Sequence, residues 1–225
     1  MTVVVAQNNR WDNAIRNLQP LFIKPSELVY DYTMENVFLS GNEYRGLDLK
    51  NIDYLSDRIQ KIEYIEPYYH FYLKPDVIRP YKAYIYEEDL NGKYVVQVDN
   101  ARNKDTDADY VYVYFYLPYK IPIVGAEVYV FGELTSWKCN RKSKMKYNAD
   151  KRQYELMLLL KQGYYNYEYV IIDEEDGFYD NTYIEGSHFD TENDYVIYVY
   201  HKDRSMQYDR LIGVSIVNSL VKEKK

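Results

Sequence analysis

The sequence predicts an all-β protein built from two tandem β-sandwich domains, and three observations carry that expectation. First, apolar and tyrosine residues alternate with a period of two. In the run Tyr110 to Leu117, Tyr110, Tyr112, Tyr114 and Tyr116 fall on one face and Val111, Val113, Phe115 and Leu117 on the other, the pattern of a half-buried strand. Second, such runs are short and punctuated by turn residues, among them Ser40-Gly41-Asn42, Asn91-Gly92-Lys93 and Asp176-Gly177. Third, only Asp12 to Leu18 reads as a helix, a turn or two long, with Asp12 placed to cap it.

Taken in order, Thr2 to Ala6 reads as a strand already inside a fold. Strands are expected next at Glu27 to Tyr32, Glu43 to Leu49, Arg58 to Ile65, Tyr68 to Leu73, Tyr84 to Tyr86 and Tyr94 to Val98. Asn91-Gly92 suits a type I′ hairpin, whose two central residues need positive φ. After Leu117, Pro118 and Pro122 interrupt the pattern, because proline cannot donate to a ladder. The domains are therefore expected at residues 1–119, incomplete if an earlier segment supplies one of its strands, and 120–225. The second holds strands at Glu127 to Phe131, Arg152 to Leu160, Gly163 to Val170, Tyr195 to His201 and Leu211 to Val217.

Composition excludes several function classes. With 47% hydrophobic residues in 225, the chain can bury real cores. Its single cysteine, Cys139, rules out an internal disulfide framework and a cysteine-based zinc cluster. A net charge of -7 argues against nucleic acid, which demands a basic stripe. The one basic cluster, Lys138 to Lys146, reads as a solvated hairpin tip. No apolar run is long enough to cross a bilayer, and residues 1–20 lack a secretory leader's pattern. The chain is expected to be part of something longer, so neither point fixes its compartment.

Nothing in the spacing suggests catalysis. His70, His188 and His201 are dispersed, and the neighbours Ser187 and His188 point apart in extended chain. Asp105, Asp107 and Asp109 mimic the opening of a calcium loop, but Tyr110 stands where its glycine belongs and Tyr116 where its bidentate glutamate belongs. A solvated loop is the better reading, and no metal, cofactor or enzymatic activity is expected. The polar stretch Glu185 to Asp194 is read as a rigid turn whose short side chains bond their own backbone. Tyrosine is the outlier, with 30 copies against 7 Phe and 2 Trp. Tyr-rich outer faces are either contact surfaces or a product of high β-propensity.

Glu127 to Asp173 packs a strand ending in Gly132, a turn, Trp137, a second strand and a third entered through Lys161-Gln162-Gly163. This order resembles an early-set immunoglobulin-like sandwich, a family that includes glycogen-binding domains. In the sugar binders a Trp and a second aromatic stack on the sugar while a Lys bonds its hydroxyls. Trp137 matches the first, the Lys position falls on Glu168, and the second aromatic falls on Phe178 or Tyr179. Trp137 is therefore either a plug that closes the sandwich or a ligand platform.

A second resemblance spans nearly the whole chain. Gln7-Asn8-Asn9-Arg10-Trp11-Asp12-Asn13, Leu28-Val29-Tyr30-Asp31, Asn36-Val37-Phe38, Gly41-Asn42-Glu43-Tyr44-Arg45, Thr191-Glu192-Asn193-Asp194-Tyr195, Val199-Tyr200 and Tyr208-Asp209-Arg210-Leu211-Ile212-Gly213 occur in that order. They resemble the C-terminal part of the plug protein family of the type IX secretion system of Bacteroidota, long described as a domain of unknown function. The resemblance implies a non-enzymatic periplasmic accessory, peripheral to the membrane, that caps the mouth of the outer-membrane translocon barrel. The alternative is a cell-envelope glycan-binding module using Trp137 with Phe178 or Tyr179.

Overall fold

A computed structural model of the chain describes residues 1–31, 34–99, 106–203 and 207–220. The elements are, in order, β1 (Thr2–Gln7), β2 (Ile15–Leu18), β3 (Phe22–Ile23), β4 (Leu28–Val29), β5 (Arg45–Asp48), β6 (Ile59–Ile65), β7 (Tyr68–Leu73), β8 (Tyr94–Val96) and β9 (Tyr110–Pro118). There follow β10 (Ala126–Phe131), a 3-10 turn at Glu133–Thr135, β11 (Lys146–Asn148), β12 (Gln153–Lys161), β13 (Gly163–Asp173), β14 (Tyr179–Asp180), the short helix α1 (Thr182–Glu185), β15 (Asp194–Lys202) and β16 (Asp209–Asn218). The protein is all-β, as expected.

The chain forms two compact units, residues 1–40 with 189–225, and residues 41–188. This differs from a division at residue 120. β9 and β12 pair along nine positions, from Pro118 opposite Gln153 to Tyr110 opposite Lys161, so strands on both sides of residue 120 share one sheet. Pro118 does end a strand, but the prolines mark the crossing from one layer to the other within a single unit. The first unit likewise joins the two chain ends, since β1 pairs with β15 from Thr2 opposite Tyr200 to Gln7 opposite Tyr195.

The first unit is a four-stranded sheet in the order β16-β15-β1-β2, with the small β3-β4 pair beside it in sequence. Asp12 to Leu18 is not helical. Its second half is β2, with Ile15 opposite Val5 and Leu18 opposite Val3. Seven residues offer too few helical bonds to repay nucleation, whereas pairing buries Leu18 against β1. From Thr191 onward the polar turn bonds mostly to distant chain, while within the turn Asn193 donates to the Thr191 carbonyl (3.4 Å). Asn8 donates to the Asn193 side chain (2.8 Å) and accepts from the Asp194 N–H (2.9 Å), and Asn193 donates to the Ser40 carbonyl (3.0 Å).

The second unit is a sandwich. One layer is built on β13, flanked by β10 and β14 and also by β5 and β8; the other has the order β11-β12-β9-β7-β6. Among its described strands only β7 and β9 run parallel. Its core takes Leu47, Val128, Val130, Tyr167 and Tyr169 from the first layer, and Phe71, Leu73, Val113, Phe115 and Leu117 from the second. Phe115 meets Tyr167 edge-on at 5.1 Å across the layers. Each buried aliphatic or aromatic side chain contributes about 1.5–3 kcal/mol through removal from water. Tyr84 to Tyr86 forms no strand; the Tyr84 hydroxyl bonds the Glu43 carboxylate and its ring packs on His188 instead.

Candidate functional site

The alternation in β9 divides its side chains as the sequence demands. Val111, Val113, Phe115 and Leu117 are fully buried, while Tyr110 is exposed and Tyr112, Tyr114 and Tyr116 are half-buried on the outer face. Register then decides what these tyrosines meet. On one side stand Leu159 opposite Tyr112, Met157 opposite Tyr114, Glu155 opposite Tyr116 and Lys161 opposite Tyr110. On the other stand His70 beside Tyr112 and Tyr72 beside Tyr114.

The result is an aromatic band across the sheet. Tyr72 and Tyr114 stack at 4.6 Å and 11°, His70 stacks on Tyr114 at 5.7 Å, and Tyr68 meets Tyr112 edge-on at 5.3 Å. The Tyr114 hydroxyl and His70 Nδ1 share a hydrogen bond of 2.9 Å. Rings that stack on one another turn edges and hydroxyls toward solvent, so the band offers hydrogen bonds and apolar edges more than open faces. Met157 and Leu159, 49% and 44% exposed, extend it as a greasy shoulder.

Charge sits at the rim. The Lys161 ammonium lies 5.6 Å from the Tyr110 ring and that of Lys61 5.6 Å from the Tyr72 ring. Burial raises the Tyr114 and Tyr72 phenols, and burial with the nearby Glu155 carboxylate raises Tyr116 to about 12. All three remain neutral donors at neutral pH. A groove of about 600 Å³ between Tyr112, Met157, Leu159 and the basic connector (Lys138, Lys142) adjoins one end of the band. A second, of about 460 Å³, lies by Tyr72, Tyr116, Lys61 and Lys151 at the other. An aromatic and methionine centre inside a charged rim is the anatomy of a protein-contact surface.

Of the four positions suggested by the sugar-binding comparison, Trp137 and Tyr179 pack with Tyr129, Phe131 and Val170 in a small cluster apart from the main core. Trp137 is half-buried, edge-on to Phe131 at 5.5 Å and to Tyr44 at 6.3 Å. Its ring rests on Gly92, where an added Cβ would come within 2.4 Å of it. Asn91 and Gly92 have the positive φ of a type I′ turn, but the strand that follows pairs with β13, so the turn closes no hairpin. Phe131 also touches Tyr179 at 5.3 Å. Glu168 is 2% exposed and accepts from the Tyr179 hydroxyl (2.9 Å) and Asn181 Nδ2 (3.3 Å). It is a buttress beneath the aromatics. Phe178 is exposed.

One cluster escaped sequence reasoning. Arg45 is buried and donates through Nε and Nη2 to Glu185 (2.9 and 2.8 Å), through Nη1 to Asp76 (3.1 Å) and through Nη2 to the Val77 carbonyl (2.9 Å). Glu185 also accepts from Arg79 Nε (2.7 Å) and the Tyr169 N–H (2.9 Å). Asp76 also accepts from Arg58 (2.6 Å) and from the Tyr167 and Tyr169 hydroxyls (2.7 and 2.8 Å). Both carboxylates are thus saturated with donors. Burial pushes Glu185 up, but Arg45 and Arg79 prevail and hold it below the usual carboxylate range. The pairing of Arg45 with Glu185 spans 140 residues, and nothing local in sequence announces it.

Asp107 and Asp109 lie in and beside the loop before β9, and Asp105 lies outside the described residues. Among the described residues no group of three or more His, Cys, Asp or Glu side chains converges, and no helix is long and apolar enough to cross a membrane. The connector from Lys138 to Lys146 is more than a solvated tip. Met145 is buried in the sandwich core, Ser143 is buried, and Lys144 pairs with Glu127.

No family model matches the chain, and no curated protein matches it. Among solved structures, it is similar to a hypothetical protein from Parabacteroides merdae ATCC 43184, with a TM-score of 0.89 and 37% identity over 96% of this chain. The match covers 54% of that protein, so the chain spans about half the length of the solved structure it resembles.

Proposed function

We propose that this protein is a non-enzymatic periplasmic accessory of the type IX secretion system that closes the periplasmic mouth of the outer-membrane translocon barrel. The observation that carries the reading is the tyrosine band on β7 and β9, with its shoulder of Met157 and Leu159 and its lysine rim. A plug needs a rigid body and a broad, reversible contact face, and it needs no chemistry. Stacked tyrosines meet that need, because they lose little side-chain entropy on contact and carry a polar tip that tolerates release into water. The ordered motifs from Gln7 to Gly213 supply the link to this secretion system. Where described, they lie in loops and in strands, and some brace their own unit, as Asn8 does with Asn193 and Arg45 with Glu185.

The test is affinity capture of the protein from gently solubilised outer membranes, with partners identified by mass spectrometry. Recovery of a giant outer-membrane barrel free of secreted cargo is expected. Recovery of glycan-uptake receptors in its place would transfer the assignment to the glycan-binding module.

A further inference from the structure

β16 stands at the edge of the first unit's sheet, yet its sequence is that of an interior strand. From Leu211 to Asn218 it reads Leu-Ile-Gly-Val-Ser-Ile-Val-Asn, with no charged residue. On one face Val217 lies beside Tyr195, followed by the small Ser215 and Gly213 beside Ile197 and Val199, and on the other Val214 and Ile216 lie beside Tyr198 and Val196. Leu211, Ile212, Val214, Ile216 and Val217 are all at least half exposed. Edge strands are ordinarily protected by lysine, proline, bulges or brevity. Apolar residues on both faces belong to strands covered on both.

The same unit has a second open apolar feature. A groove of about 590 Å³ runs over Val3, Val5, Ile197, Val199 and Val217, and Tyr30 and Phe38 also line it, Phe38 with its ring on Tyr195 at 5.6 Å. Its lining continues onto β16 through Val217, so edge and groove form one surface. An occupant must therefore do two things. It must present a strand edge, because once an occupant displaces water from β16, a strand is what pairs its outward row of N–H and C=O groups. It must also lay apolar side chains over the sheet, as the second layer of a domain does. A second copy paired antiparallel through β16 extends the sheet sideways and leaves the groove uncovered.

We propose that β16 is an interior strand of a larger sheet, completed by a β-segment of the same protein that lies outside these 225 residues. The Parabacteroides merdae protein carries nearly as much chain again beyond the region of match, enough for such a layer. The proposal does not depend on the secretion reading.

Hydrogen exchange tests it, on the full-length Parabacteroides merdae protein and on this chain at low and high concentration, with β15 as internal reference. In the longer protein the strand equivalent to β16 should exchange as slowly as β15. In this chain its amides should exchange about a hundredfold faster than those of β15, at either concentration. Fast exchange in both proteins would overturn the proposal. So would protection in this chain, whether it grows with concentration, which would identify a second copy, or is independent of it, which would place the cover within these residues.

Discussion

At the scale of single residues, the Arg45, Asp76 and Glu185 cluster is the point of greatest leverage. A buried ion pair is worth little against a well-packed apolar replacement, but removing one partner strands the other's charge at a cost of about 3–5 kcal/mol. Glu185→Gln should therefore destabilise the second unit by about 3 kcal/mol in urea unfolding, because it leaves Arg45 and Arg79 facing a neutral amide. The pH dependence has a definite sign. The folded Glu185 carboxyl titrates below its ordinary 4.5, so its contribution is complete above about pH 4.5 and is lost as pH falls through the folded value. The wild type should lose stability in that acid window, and the Gln variant should show a shallower loss; parallel acid titrations would refute the assignment. Trp137 belongs to the same scale. Trp137→Ala removes the ring that rests on Phe131, Tyr44 and Gly92 and should cost about 2 kcal/mol, below the range for a fully buried Trp because part of the ring is exposed. Any glycan binding that vanished without this loss of stability would make Trp137 a platform.

At the scale of elements, the tyrosine band makes the sharpest prediction. Met157→Glu with Leu159→Glu places two carboxylates on an exposed shoulder of β12. Melting should move little, since exposed substitutions lie within about 0.5 kcal/mol each, while capture of the barrel should fall at least about tenfold. How far each element was legible depended on where its determinants lie. β9 was legible outright because its signal is local: eight alternating residues assign both faces. β2 was not, because the pairing of Ile15 and Leu18 with β1 is tertiary and outweighs weak helical propensity. The prolines after Leu117 were correctly seen as a strand end, but a strand end marks a domain border only if the flanking strands do not pair, and β9 and β12 do. The sites divide the same way. The tyrosine face follows from alternation alone, whereas the stacking of Tyr72 on Tyr114 needs the parallel register of β7 and β9. The buried role of Glu168 needs Tyr179 and Asn181 folded over it.

At the scale of the whole molecule, the proposed plug acts through one face. In the proposed plug β9 and its neighbours are the seat of binding, and the charged cluster and the Trp137 cluster hold that face rigid. The most direct measurement is the affinity of purified protein for the detergent-solubilised translocon barrel, wild type beside the Met157→Glu, Leu159→Glu variant, with melting temperature followed in parallel. The wild type should bind and the equally stable variant should not. Equal binding by both would remove the tyrosine band from the interface, and absence of binding by the folded wild type would contradict the plug assignment itself.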